Sequence, residues 1–229
     1  MNKKTRIVLI ASLSLNSVFL VAALLLVSTG RYRRITLPYL RNYYLQRLGH
    51  FESLSGSGIG IVFVGDSLTD RCEWGELFER HDIANRGIDA DTTDGVLNRI
   101  GEITRMKPRK VFILVGGADL IIGRKPNAIV KNYARIIRGI RAASPGTTVY
   151  AQSVLPTRIR RAPLTPEAII ELNRGIKSLC EESGVRYVDL HDIMTDARGD
   201  LDARYTFDGV HLNGAGYQVW RAALLPLLE

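Results

Sequence analysis

One stretch of the sequence constrains the fold more than any other. Residues 61–64 are four consecutive apolar residues that run directly into Gly65 and, two positions later, Ser67. A short apolar run of this kind is typical of a strand buried on both faces of a parallel sheet. Gly65 allows a sharp turn, and Ser67, Thr69 or Asp70 can then cap a helix. Ser67 is therefore predicted either to lie at the ligand-binding carboxyl edge of the sheet or to serve only as a helix cap.

Strand and helix patterns alternate along the rest of the chain. Strands are predicted at 60–64, 82–85, 110–115, 148–154 and 185–190, and helices at 70–79, 92–105, 126–143, 166–183 and 214–228. This alternation favours βαβ units, a five-stranded parallel sheet and helices on both of its faces. The sequence therefore predicts one doubly wound α/β domain over residues 59–229.

The net charge of +8 suggests a nucleic-acid partner until the charge is divided by region. Residues 1–34 contain six basic and no acidic residues, whereas the remainder contains 25 basic and 23 acidic residues. Nucleic-acid binding needs a basic surface on the folded domain, so no nucleic-acid partner is expected.

The head of the chain contains a long uncharged segment, residues 7–29. As a helix it would extend roughly 34 Å, enough to cross a hydrocarbon core of about 30 Å. Ser28-Thr29-Gly30 could also serve as a cleavage site after a signal peptide. We expect residues 1–34 to be a single-pass membrane anchor, or a signal peptide, and the domain to lie outside the cytoplasm.

Residues 35–58 are predicted to form an amphipathic lead-in helix and a linker. Thr36 is the expected cap, with Pro38 in the first turn, and a flexible joint follows at 55–58. Cys72 and Cys180 are far apart in sequence and form no metal or redox motif, which favours two separate buried thiols.

A nucleophilic serine needs a base and a group that orients the base. Of the four histidines, His191 and His211 follow the last predicted strand and could approach Ser67. Asp208 stands three residues before His211, a spacing that lets its carboxylate reach Nδ1 and leaves Nε2 facing the serine. Ser67, His211 and Asp208 are therefore the predicted nucleophile, base and orienting acid.

Four motifs, in this order and at this spacing, resemble those of the SGNH, or GDSL, hydrolase superfamily: Gly65-Asp66-Ser67-Leu68, Asn85-Arg86-Gly87-Ile88, Val115-Gly116-Gly117-Ala118-Asp119 and Asp208-x-x-His211. The chain looks most similar to the branch of platelet-activating-factor acetylhydrolases and bacterial acetylesterases. The resemblance implies a flavodoxin-like three-layer α/β/α fold and ester hydrolysis through an acyl-serine, without a metal or other cofactor. It also implies that the backbone N–H groups of Ser67 and Gly87 stabilise the oxyanion.

The third motif departs from the superfamily pattern. Ala118 occupies the position of an asparagine whose side chain usually donates to the oxyanion, and the loss of one such donor typically costs about 10²–10³ in turnover. Either another group substitutes, which would be a bound water or an inward-pointing Asn98, or the enzyme is slow, or catalysis has been lost.

Four further residues are possible substrate contacts: Asp66, Arg158, Arg160 and Arg161. The three arginines could hold an acidic sugar, a phospholipid headgroup or the membrane surface, or they could form a solvated basic loop. The sequence thus predicts an esterase acting on a short acyl group, acetyl above all, of a carbohydrate or lipid. A lysophospholipase, a thioesterase, an acyltransferase and a non-catalytic glycan- or lipid-binding module are the alternatives.

Overall fold

The computed structural model describes residues 2, 4–6, 8, 9, 12, 15–20, 31–160 and 163–229, with residues 31–37 described by their backbone. The chain divides into two units, residues 1–43 and 44–229. The second unit contains the sheet and every residue singled out for chemistry; of these, Arg161 lies outside the described residues.

Five parallel strands form one sheet in the order β2-β1-β3-β4-β5. The strands are β1 (Ile61–Gly65), β2 (Ile83–Gly87), β3 (Lys110–Leu114), β4 (Thr148–Gln152) and β5 (Arg186–Val188). All five run in one direction, so their carboxyl ends share one edge. The predicted five-stranded parallel sheet is confirmed.

Helices connect the strands. They are α1 (Arg31–Ser53), α2 (Ser67–Asp70), α3 (Trp74–Leu77), α4 (Thr93–Asn98), α5 (Ile100–Arg105), α6 (Gly117–Ile121), α7 (Pro126–Ala143), α8 (Pro166–Ser183), α9 (His191–Met194) and α10 (Gly214–Leu224), with 3₁₀ turns at Ala203–Tyr205 and Leu225–Leu227. Helices α7 and α8 have the predicted bounds. Helix α4 begins after Thr92, whose side chain accepts a hydrogen bond from the Gly95 N–H as an N-cap.

The side chains of β1 alternate between two buried cores, as the period of two in a strand requires. Val62 and Val64 face a core shared with α4, α5, α7 and α8. Ile61 and Phe63 face a second core that contains Leu68, Trp74 and Trp220, from α2, α3 and α10. The sheet is therefore the middle of three layers, and α2 belongs to the layer opposite α7 and α8.

Two predicted helices are each divided in the structure. The predicted helix 92–105 breaks at Arg99, whose side chain is fully buried in an ion pair with Asp91. The predicted helix 70–79 is replaced by α2 and α3, because the Asn85 side chain binds the carbonyl groups of Thr69, Asp70 and Cys72. In the second case the contacts come from another element, which a local pattern does not contain.

The C-terminal part of α1 is anchored within the second unit. Phe51 is 2% exposed and lies between two guanidinium groups, with Arg47 Cζ 4.6 Å and Arg86 Cζ 4.7 Å from its ring centre. The Tyr44 hydroxyl donates to Gly95 O at 2.9 Å. Helix α1 begins at Arg31, earlier than the predicted start at Thr36, so Pro38 lies inside it.

The structure contradicts the predicted membrane helix over residues 7–29. Among the described residues, no helix has the length and apolar character needed to cross a membrane. Helix α1, which has 23 residues, contains five arginines. Of the predicted span, residues 8, 9, 12 and 15–20 are described and the others lie outside the described residues. The prediction of a membrane anchor, and of the localisation that depends on it, is therefore wrong.

Cys72 and Cys180 are separate, buried, free thiols, as the sequence favoured.

Candidate active site

Ser67 is the first residue of α2, immediately beyond the carboxyl end of β1. Gly65 makes this turn possible, because a Cβ there would lie 2.2 Å from both Leu114 O and Thr69 Oγ1. Asp66 is the N-cap residue, and its Oδ1 accepts from the Leu68 N–H at 3.1 Å. Ser67 thus lies at the predicted edge of the sheet, and the capping role belongs to Asp66.

Ser67 and His211 meet across 144 residues of sequence. Ser67 Oγ lies 3.1 Å from His211 Nε2, and His211 Nδ1 lies 2.6 Å from Asp208 Oδ2. His191, the other histidine considered, lies at the start of α9 with its Nδ1 3.4 Å from Thr195 Oγ1. The structure therefore brings Ser67, His211 and Asp208 together and gives His191 different neighbours.

Hydrogen bonds stabilise the loop that carries Asp208 and His211. An antiparallel bridge between Thr206 and Leu212 closes it at its base. At its tip Gly209 adopts φ +84°, a conformation that favours glycine. The Gly209 N–H donates to Thr206 Oγ1 at 2.9 Å, and Gly209 O accepts from Thr157 Oγ1 at 3.0 Å. Neither threonine was identified from the sequence.

Asp208 accepts hydrogen bonds with both carboxylate oxygens. Oδ1 accepts from the backbone N–H of Val210 at 2.9 Å and of His211 at 2.8 Å, while Oδ2 faces the His211 ring. Burial raises the pKa of Asp208, but the hydrogen bonds from the His211 side chain and from the two backbone groups outweigh it and lower the pKa well below its usual range. Asp208 is therefore ionised and keeps a proton on Nδ1, which leaves the Nε2 lone pair directed at Ser67.

The residues at the three predicted oxyanion-hole positions differ in the hydrogen-bond donors that they provide. The N–H of Ser67 has no acceptor within its helix, because the first N–H groups of a helix lack intrahelical partners. The Gly87 N–H donates to Asn85 Oδ1 at 2.8 Å. Ala118 lies in α6 and contributes a methyl group. Asn98 is exposed on α4, which does not support it as the replacement donor.

Two of the arginines proposed as substrate contacts form ion pairs within the protein, and the third, Arg161, lies outside the described residues. Arg158 Nη1 lies 3.2 Å from Asp196 Oδ2, and its backbone N–H donates to Gly209 O at 2.8 Å. Arg160 Nη2 lies 2.9 Å from Asp200 Oδ1. The Arg158 N–H thus joins the loop after β4 to the loop that carries His211, and the two ion pairs join it to residues 196–200.

Three buried carboxyl groups, Asp66, Asp91 and Asp119, are close enough to influence one another electrostatically. Burial, the largest cause, raises the pKa of Asp66 to about 7; the hydrogen bond from the Leu68 N–H acts against it, and the nearby charges of Asp91 and Asp119 act with it. Burial also raises the pKa of Asp91 to about 6, although Arg99 acts in the opposite direction. Asp66 is buried and caps α2, and its contact with substrate stays a prediction.

A serine, an imidazole and a carboxylate hydrogen-bonded in series form the arrangement by which serine hydrolases activate their nucleophile. The profile of the GDSL-like lipase/acylhydrolase family matches residues 63–219. The chain belongs to this family and is a carboxylic ester hydrolase.

Curated relatives cover most of the domain. The platelet-activating factor acetylhydrolase IB subunit alpha2 of Rattus norvegicus is 27% identical over 164 residues, which are 69% of this chain and 70% of the relative. The subunit alpha1 of Bos taurus is 28% identical over 179 residues, 73% of this chain and 74% of the relative.

Solved structures show the same fold. A Streptococcus pneumoniae protein described as a platelet activating factor superposes with a TM-score of 0.79 at 25% identity, covering 87% of this chain and 99% of that one. A GDSL-like lipase of Bacteroides thetaiotaomicron superposes with a TM-score of 0.69 at 23% identity, over 81% and 96% of the two chains.

Proposed function

We propose that this protein is a serine esterase that removes a short acyl group, acetyl in the first instance, from an oxygen ester of a carbohydrate or a lipid. The observation that carries the proposal is the hydrogen-bonded series Ser67–His211–Asp208 at the carboxyl edge of the sheet. In this proposal Ser67 is the nucleophile, His211 the general base and acid, and Asp208 the residue that orients the imidazole.

The reaction proceeds in two halves. As Ser67 Oγ bonds to the carbonyl carbon of the ester, His211 Nε2 takes the hydroxyl proton and then gives it to the departing alcohol oxygen when the ester C–O bond breaks. Water attacks the acyl-serine in the second half, with His211 accepting a proton from it. The imidazolium then returns that proton to Ser67 Oγ as the carboxylic acid leaves. Asp208 stabilises the imidazolium in both halves.

Stabilisation of the oxyanion is the weaker part of this site. The Ser67 N–H is the proposed main donor. The Gly87 N–H serves only by sharing or leaving Asn85 Oδ1, and Ala118 adds no donor. Since one donor is typically worth about 10²–10³ in turnover, we expect slow hydrolysis compared with a site that has all three.

The substrate class rests on the relatives. The curated relatives are named as acetylhydrolases, and at 27–28% identity over about seven-tenths of this chain they favour a short acyl group. The alcohol that carries the acyl group is set by the loops around the site.

A second function is favoured by the same shortage of donors: a glycan- or lipid-binding module that retains the triad geometry with little turnover. Ala118 and the engaged Gly87 N–H are the observations that favour it.

A fluorophosphonate probe, combined with p-nitrophenyl esters of two to twelve acyl carbons, separates these functions. We expect the wild type to be labelled at Ser67 and to cleave the acetyl ester fastest, and Ser67→Ala to lose both labelling and hydrolysis. Ser178→Ala is the matched control, because this serine is exposed on α8. An unlabelled wild type would support the binding module. Faster cleavage of long acyl chains would favour a lipase-type substrate, and transfer to added glycan without hydrolysis an acyltransferase.

A further inference from the structure

The helix that carries Ser67 is too short to be stable by itself. Helix α2 has four residues, and a single helical turn fixes several backbone angles for very few hydrogen bonds. Its carbonyl groups accept from side chains instead: the Tyr217 hydroxyl donates to Leu68 O at 2.8 Å, and Trp74 Nε1 donates to Thr69 O at 2.9 Å. The position of Ser67 therefore depends on donors outside α2.

Asn85, in β2, makes more of these contacts than either aromatic residue. Its Nδ2 donates to the carbonyl oxygens of Thr69 at 2.9 Å, Asp70 at 3.1 Å and Cys72 at 2.9 Å. The opposite amide orientation would place Oδ1 against three carbonyl oxygens, so chemistry alone determines which atom is the donor. This side chain also ends α2 and separates it from α3.

The oxygen of the same side-chain amide contacts Gly87, whose N–H is the second predicted donor to the oxyanion. Asn85 Oδ1 accepts from the Gly87 N–H at 2.8 Å. The backbones concerned are in close contact, because a Cβ at Gly87 would lie 2.1 Å from the Asp70 nitrogen. One side chain thus joins the end of the nucleophile's helix to the turn that presents the Gly87 N–H.

We propose that Asn85 is a positioning residue for ester hydrolysis, which sets the distance between Ser67 and the Gly87 N–H by bonding to the backbone on both sides. This inference rests on the proposed function, since it concerns the rate of the step at Ser67. Asn85 acts through α2, whose end it holds, and through Gly87, whose N–H it keeps in place beside Ser67. Loss of Asn85 frees this N–H but also removes the contact that positions it, so the freed donor is not directed at the oxyanion. The loss of Asn85 should therefore lower kcat much more than it changes KM, because a small misplacement of a reacting group costs rate rather than binding.

The test compares Asn85→Ala and Asn85→Asp with Asn173→Ala. Asn173 is a matched control: it is a buried amide on α8 that bonds to the N–H and the carbonyl of Val154, both at 2.8 Å. We expect Asn85→Ala to lower kcat and the rate of fluorophosphonate labelling by roughly 10²-fold, with KM within about twofold of the wild type. Asn173→Ala should lower the Tm while it keeps kcat. The Tm of each variant is measured first, and all rates are taken at a temperature below the lowest of these values, where every variant is folded.

Asn85→Asp gives an independent readout should the alanine variant fail to fold. This substitution keeps the size of the side chain and an acceptor for the Gly87 N–H. It replaces the NH₂ group that donates to three carbonyl oxygens with a carboxylate oxygen, which cannot donate. Protonation restores one O–H donor, so the kcat of this variant relative to wild type should rise as the pH falls from about 8 to about 5. The inference is wrong if an active wild type is matched within about threefold by Asn85→Ala, or if Asn173→Ala loses as much kcat. It is equally wrong if the kcat ratio of Asn85→Asp to wild type stays constant with pH. A wild type without any turnover would instead refute the proposed function.

Discussion

Asp208 holds His211 through two different groups of the same residue: its Oδ2 lies 2.6 Å from the ring Nδ1, and its Oδ1 accepts from the His211 backbone N–H at 2.8 Å. The carboxylate therefore fixes both the rotation of the imidazole and the fold of the loop that carries it. The side chain of Asp208 is nevertheless 54% exposed. Its value lies in orientation more than in electrostatic strength, because water screens the charge.

Asp208→Asn should lower kcat by roughly 10³–10⁴-fold while the protein stays folded. The asparagine amide can donate to Nδ1 and so favours the tautomer with the proton on Nε2, which cannot accept from Ser67. Steady-state hydrolysis of p-nitrophenyl acetate checks this.

Glu171→Gln is the control for this variant, because it makes the same chemical change at an exposed position on α8. Should Asp208→Asn keep most of the wild-type kcat, Asp208 would have no part in orienting the base.

Ala118→Asn should raise kcat by at least about tenfold, and by up to about 10²–10³-fold if the amide reaches full donor geometry. The reason is that the site has few free donors for the oxyanion: the Gly87 N–H is bonded to Asn85 Oδ1, and a methyl group donates nothing. The measurement is kcat on the acetyl ester.

Ala118→Asp is the control, because the aspartate side chain has nearly the same shape as asparagine. Its ionised form carries no donor and repels an oxyanion, so this variant should have a lower kcat. Equal rates for wild type and Ala118→Asn would show that a missing donor is not what limits this enzyme.

Asp66→Asn should change how stability depends on pH. Burial raises the pKa of Asp66 to about 7 in the folded state, above its ordinary value of 3.8. The folded protein thus binds a proton that the unfolded chain releases at lower pH. The stability associated with this proton is fully present below about pH 4 and is lost as the pH rises through about 7.

The asparagine stays neutral, and its side-chain oxygen can still accept from the Leu68 N–H, so the helix cap is kept. Relative to wild type, the variant should become more stable between about pH 5 and pH 8, as measured by urea unfolding at each pH. The free energy of unfolding of the variant should still fall as the pH rises, but less steeply, because burial also raises the pKa of Asp91 to about 6. Asp192→Asn, at a side chain that is 82% exposed, is the control. A difference between Asp66→Asn and wild type that does not change with pH would refute the account.

Local patterns in the sequence were sufficient for much of the fold. The apolar run before Gly65 predicts β1 because both faces of that strand are buried, and the periodic apolar residues of α7 and α8 predict helices because a single face of each packs on the sheet. The motifs also identified Ser67, Asp208 and His211, since the turn after β1 and the D-x-x-H spacing are local features. The same kind of reasoning gave a wrong prediction of a membrane helix for the apolar segment at residues 7–29, because hydropathy alone does not establish such a helix.

Only the tertiary structure decided which distant groups meet. The order of the strands brings Ser67 to within 3.1 Å of His211 across 144 residues. It pairs Arg158 with Asp196 instead of leaving its charge for a substrate, and it places the amide of Asn85 against the end of α2. Asn85 belongs to a motif recognised in the sequence, but its partners lie on another element. The physical reason is that periodicity is a property of neighbouring residues, whereas a hydrogen bond depends on the positions of two groups that the chain brings together only when it is folded.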